Sequence, residues 1–203
     1  VLKYSKDLAA FSHTPSHADL IMADNGVDSL LACLDLVSGL DDFDEKEEIL
    51  VNSTEALSKV EETRPGYRAA ANPQAVGAML DNLRKNMRFG KLCEYSLGCL
   101  RSLGENANNL AEIEKQGGLE LILETILTHG GNANVQKEAT LLCKRLASDP
   151  EIAHKMAELG LMEALLGMIG TESETPDLLA IRLNTLSALA LSSEDAIARL
   201  RAA

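Results

Sequence analysis

Apolar residues recur along this chain at spacings of three and four, and no window alternates apolar with polar as a half-buried strand would. The pattern therefore predicts helices throughout. Apolar series spaced by three end at Val60 (after Leu57), Leu103 (after Leu97 and Leu100), Leu146 (after Cys143) and Leu189 (after Leu183 and Leu186), in steps of 43 residues. Leu8 and Phe11 look like the preceding member, displaced by an acidic insertion. A second set of markers follows the same rhythm. Gly26, Gly117 and Gly160 are each followed four and five places later by apolar residues, Leu30-Leu31, Leu121-Ile122 and Ala164-Leu165. Asn72, before Pro73 and Val76, takes the glycine's place in the remaining junction, and the junctions lie 46, 45 and 43 residues apart. Two independent markers with nearly one period define an internal repeat.

The best-marked unit predicts three helices. A short one runs over Asn109–Gln116 and ends at Gly117, where a residue free to take positive φ turns the chain. A second runs over Leu119–Thr128, Gly130-Gly131-Asn132 breaks it, and a longer third runs over Asn134–Ala147. Ser148-Asp149-Pro150 opens the next unit, with Pro150 suited to a first helical turn because its missing N–H has no helical partner there.

Three helices per roughly 43 residues with a glycine at the first corner resemble the armadillo repeat. The closest stretches are "NNLAEIEKQGGLELILETILTHGGNANVQKEATLLCKRLA" (108–147) and "PEIAHKMAELGLMEALLGMIG" (150–170). The resemblance is strong over 88–192 and weak before residue 75, where "RPGYRAAANPQAVGAML" departs from the glycine corner; two-helix HEAT units are the alternative. It implies an all-α fold, a right-handed armadillo-like superhelix of about four to five three-helix repeats. The single solenoid is divided at about 13–62, 63–105, 106–148 and 149–192, with partial repeats at 1–12 and 193–203. Residues 2–12 read as a third helix and 194–202 as a first helix, without polar caps, so the expectation is a fragment of a longer protein.

In the armadillo family the third helices line a concave groove that holds an extended partner. The resemblance implies that role here, and the register picks the residues. Groove positions fall one and five places before each ladder residue: Lys59 and Glu55, Ser102 and Gly98, Arg145 and Leu141, Ala188 and Asn184, with Asn52, Tyr95, Glu138 and Ile181 a turn earlier. Importin-like members carry Trp and Asn at these places; this chain has no Trp, and Lys59, Ser102, Arg145 and Ala188 stand at the Asn places. The groove would instead present Lys59 and Arg145, with Arg101 and Lys144 beside them, closer to the catenin-like arrangement that holds acidic ligands. The other reading of the same residues is a solvated helix face with scattered charges.

Composition narrows the partners. The chain has 19 Lys and Arg against 31 Asp and Glu, a formal charge of −12, which would repel a phosphate backbone and an anionic membrane surface. The core must be aliphatic, since 46% of residues are hydrophobic but only 3% aromatic. No stretch is long and apolar enough to insert in a membrane, and no signal-peptide pattern opens the chain. A cytoplasmic protein is the expectation. Cys33, Cys93, Cys99 and Cys143 each lie in an apolar helical pattern with no Cys-x-x-Cys pair, as reduced core residues do. The run Asp41-Asp42-Phe43-Asp44-Glu45-Lys46-Glu47-Glu48 reads as a solvated lead into a helix, with Phe43 leaving a contact to a basic partner open.

Catalytic patterns fail on inspection. His13 and His17 have an i, i+4 spacing, but Pro15 lies between them and no further ligand completes a zinc set. "THGGNANVQKEAT" lacks the Lys-Ser/Thr ending of a phosphate loop, and no Gly-x-Ser-x-Gly elbow occurs. The expectation is a non-enzymatic protein-binding scaffold with no cofactor and no metal. Its partner would be an extended, partly acidic protein segment, with neighbouring repeats or self-association through the uncapped ends as further contacts. The alternatives are a chaperone cofactor or motor-assembly adaptor, or the cargo end of a lipid-anchored tether.

Overall fold

The computed structural model describes residues 2–13, 43–63, 73–171 and 175–191. Every regular element among them is a helix: α1 (Leu2–Ser12), α2 (Phe43–Thr63), α3 (Pro73–Asn86), α4 (Gly90–Leu103), α5 (Ala107–Lys115), α6 (Gly118–Thr128), α7 (Ala133–Leu146), α8 (Pro150–Glu158), α9 (Leu161–Gly167) and α10 (Pro176–Leu191). The three helices expected in the best-marked unit are α5, α6 and α7, each within two residues of its predicted ends. The Gly26 corner, Asn72, Cys33, His17 and the stretch 194–202 lie outside the described residues.

Two rows of helices form the body. The long helices α1, α2, α4, α7 and α10 each contact the next, and α3, α6 and α9 make a second row in which neighbours also touch. Within a unit the rows meet, α3 on α4, α6 on α7 and α9 on α10. The short helices α5 and α8 lie against α6 and α9 respectively. An amphipathic helix cannot bury its apolar stripe alone, and here each finds its cover on the adjoining row and the adjoining unit.

The ladder is the seam. Val60, Leu103, Leu146 and Leu189 all have zero exposure, as do Leu97, Leu100 and Cys143. Cys93 and Cys99 are buried with them, and none of the three described cysteines is in a disulfide. Burial pushes the Cys93 thiol up to about 11 and the Cys143 thiol up to about 12, which leaves both protonated and unreactive near neutral pH.

The punctuation is local chemistry. Gly117 takes φ 76° and Gly160 takes φ 87°, left-handed turns ahead of α6 and α9. Gly118 is needed for a different reason: a Cβ there would stand 2.5 Å from Ile113 Cγ2 and 2.6 Å from the Ile113 carbonyl oxygen, so α5 and α6 meet at backbone contact. Asn106, Asn132 and Asp149 cap α5, α7 and α8, each accepting backbone N–H bonds through its side-chain oxygen. Pro150 occupies the first turn of α8, as expected.

The carbonyls left open at the end of each second-row helix are met by the long helix that follows. Cys93 Sγ donates to the Met87 carbonyl after α3 at 3.3 Å. Gln136 Nε2 donates to the Ile126 and His129 carbonyls at the end of α6, at 2.7 and 3.1 Å. Arg182 Nη1 donates to the Met168 carbonyl after α9 at 2.7 Å, and its Nη2 reaches Gln136 Oε1 at 3.0 Å, which links the last two units. Arg182 is fully buried, with its guanidinium against the negative C-terminal end of α9.

Truncating Leu146 to Ala should cost on the order of 2–5 kcal/mol in urea unfolding, as for a buried Leu in a packed core. A loss under about 0.5 kcal/mol would show that the 43-residue register is wrong. Gly118→Ala should destabilise by about 1–3 kcal/mol through overpacking against backbone. Gly131→Ala, where nothing lies within 4 Å of the added methyl, should be near neutral by the same measurement.

Candidate functional site

Three places along the row of long helices gather the side chains that the register assigned to a groove. At the first, between α1, α2 and α4, Asn52 Nδ2 donates to Ser5 Oγ at 3.5 Å and Lys6 pairs with Glu48 at 2.6 Å. α2 thus begins at Phe43, inside the acidic run, and the run's last residue is tied to α1. Glu55 lies 3.6 Å from His13 Nε2 and acts through its charge on the Tyr95 phenol, while Lys91 Nζ sits 5.4 Å from the centre of the Tyr95 ring.

The second place is a cleft at the C-terminal ends of α4 and α7, about 420 Å³, lined by Arg101, Leu141, Lys144, Arg145 and Ser148. Arg101 Nε donates to Glu138 Oε2 at 2.8 Å, and Arg145 Nη2 pairs with Glu105 in the turn after α4. The stem of Arg145 rests on that turn because Gly104 has no Cβ. One built there would lie 3.3 Å from Arg145 Cγ and 2.9 Å from Leu110 Cδ2. The Ser148 hydroxyl donates to the Arg145 carbonyl at 2.7 Å.

The third place is a smaller groove of about 240 Å³ between the starts of α7 and α10, lined by Lys137 of α7 and by Asp177 and Ile181 of α10 among others. Asn184 is exposed farther along α10. Lys59 is half-buried on α2 and does not line the Arg145 cleft.

Ser102 departs from the expectation. It is 1% exposed, its hydroxyl has no hydrogen-bond partner, and Gly98 one turn before it is buried too. Their register equivalents Arg145 and Leu141 remain half-buried. Side-chain length makes the difference. At the same helical position a Ser or Gly stays below the level of the neighbouring helices, whereas Arg or Leu reaches past them.

The site also contains residues the register missed. Glu105 and Ser148 sit in turns, outside the helical positions from which a groove can be counted. Arg101 and Arg145, expected as cations for a partner, are held by Glu138 and Glu105 of this chain. Among the described residues no group of three or more His, Cys, Asp and Glu is placed to hold a metal ion, and no helix is long and apolar enough to cross a membrane.

No protein-family model matches the chain, and no curated protein matches it. The crystal structure of an engineered protein is similar, with a TM-score of 0.75 at 20% identity over 96% of this chain and 78% of that one. At that identity the likeness establishes a shared all-helical fold.

The Tyr95 phenol is pushed up to about 12 from its ordinary 10.0, first by burial, then by the nearby Glu55 carboxylate, with Glu94 adding. The fold favours the neutral phenol, so its contribution to stability is present below pH 10 and is lost as pH rises through about 12. An ultraviolet titration of the chain minus that of Tyr95→Phe should give a midpoint near 12, and Glu55→Gln should lower it. A midpoint at 10 would contradict the Tyr95–Glu55 contact.

Proposed function

We propose that the chain is a non-enzymatic, armadillo-type protein-binding scaffold that holds an extended, partly acidic segment of a partner along its row of long helices. The observation that carries this reading is the cationic cleft of Arg101, Lys144 and Arg145 beside Leu141, on a molecule whose formal charge is −12. A local concentration of cations against the sign of the whole chain gives an acidic segment one preferred landing place. Leu141 supplies apolar contact within the same cleft, and Glu138 holds the Arg101 guanidinium in place before a partner arrives.

The 43-residue units support the solenoid part of the reading. Each long helix contacts the one before and the one after, as stacked repeats require, and the right-handed superhelix implied by the armadillo resemblance is the arrangement that would turn this row into a continuous groove.

The test uses a fluorescein-labelled extended peptide of alternating Gly and Glu, read by anisotropy. Lys144→Glu with Arg145→Gln should abolish binding with little change in melting temperature, because partly exposed ion pairs contribute only about 0–1 kcal/mol to stability. Lys115→Glu with Lys85→Gln, an equal charge change away from the cleft, should leave binding within about twofold after correction for screening. Equal damage from both pairs would make the effect one of net charge and overturn the assignment of the surface.

A further inference from the structure

The cleft at the ends of α4 and α7 already contains carboxylates of this chain. Glu138 holds Arg101 at 2.8 Å and Glu105 holds Arg145. Lys144, exposed on α7, stands beside Arg145, and among the described residues these two cations meet one carboxylate, that of Glu105, which leaves a local surplus of positive charge. A partner's Asp or Glu that entered would gain chiefly from Lys144, since on either guanidinium it would exchange one carboxylate for another and gain little there.

A ligand profits from this cleft when it brings more charge and more acceptors than a carboxylate. A phosphate monoester does both, with a charge of about −1.5 to −2 and three strong acceptor oxygens. A guanidinium has five N–H donors in a planar fork, so it can keep a carboxylate on one edge and present another edge to phosphate. The packing of the Arg145 stem over Gly104 fixes where that fork stands.

We infer that this cleft selects a phosphorylated side chain in an extended protein segment over Asp or Glu at the same place, and that Glu105 is an internal competitor for Arg145. The inference rests on the partner-binding reading of the same cleft and narrows its ligand. A phosphorylated segment fits better than a phosphorylated lipid surface. An anionic bilayer would meet the repulsion of the whole −12 chain, whereas one phosphoryl group on an extended peptide meets only the local surplus of cations.

The experiment uses the full 203-residue chain and labelled Gly-Asp peptides that carry Ser, Glu or phosphoserine at one central place. Phosphoserine should bind about tenfold more tightly than Glu, a difference of the size that charge-assisted bidentate bonds supply. Lys144→Gln with Arg145→Gln should reduce both to the level of Ser, with an unchanged circular dichroism spectrum. Glu105→Gln should tighten phosphoserine binding about threefold or more, as expected when a competing carboxylate is removed.

Equal affinity for Glu and phosphoserine, with both lost in the double variant, would overturn the selectivity while leaving the acidic-partner reading in place. No binding of any peptide, or binding indifferent to the double variant, would overturn both. An unchanged affinity in Glu105→Gln would remove the competitor role. Capture of phosphoinositide vesicles that the phosphoserine peptide does not displace would overturn the inference in favour of a membrane headgroup.

Discussion

Everything in this fold depends on one constraint: no helix in it can bury its apolar stripe without the next repeat. Leu103, Leu146 and Leu189 have zero exposure because α4, α7 and α10 each pack on the second-row helix of their own unit and on a neighbouring long helix, and Val60 is buried where α2 lies between α1 and α4. With almost no aromatic side chains, the core is built from aliphatic groups of similar size, and such a core tolerates the same packing over and over at a fixed interval. The glycine corners and the Asn and Asp caps serve the same end, returning the chain to the start of the next unit at the right angle.

The second requirement is polar. Each second-row helix ends against the long helix that follows it, and its last carbonyls would be stranded there without donors. Cys93, Gln136 and Arg182 answer the same need with three different groups. In the last unit the donor is a buried cation that also reaches Gln136, so the seam between the last two units is held by a hydrogen-bonded line as well as by Leu189. The Met168 and Gln136 oxygens accept from that buried charge at the end of a helix, and hydrogen bonding of this kind is what makes burial of an Arg tolerable.

How far the sequence reveals this differs from feature to feature. The ladder and the corner at Gly117 were legible because aliphatic spacing and positive φ leave marks on residue type. Arg182 was not, since a cation within "PDLLAIRLNTLSALAL" reads as a surface residue until Met168 and Gln136 are seen around it. Ser102 shows the limit of counting. The register gives its angular position correctly, but a short side chain between close-packed helices does not reach the surface. The cleft was half legible. Arg145 and Leu141 follow from the repeat, whereas Glu105 and Ser148 lie in turns that no helical period governs.

Where an acidic segment lands decides the role of this fold. Methyl NMR of the leucine-labelled chain, titrated with the Gly-Glu peptide, asks that directly. Leu141 lines the cationic cleft, and Leu127, 58% exposed, lies on the far row beside Glu120 and Glu124. If the cleft holds the segment, the Leu141 methyl resonances shift with peptide and those of Leu127 stay still. Shifts at Leu127 with none at Leu141 would contradict that placement.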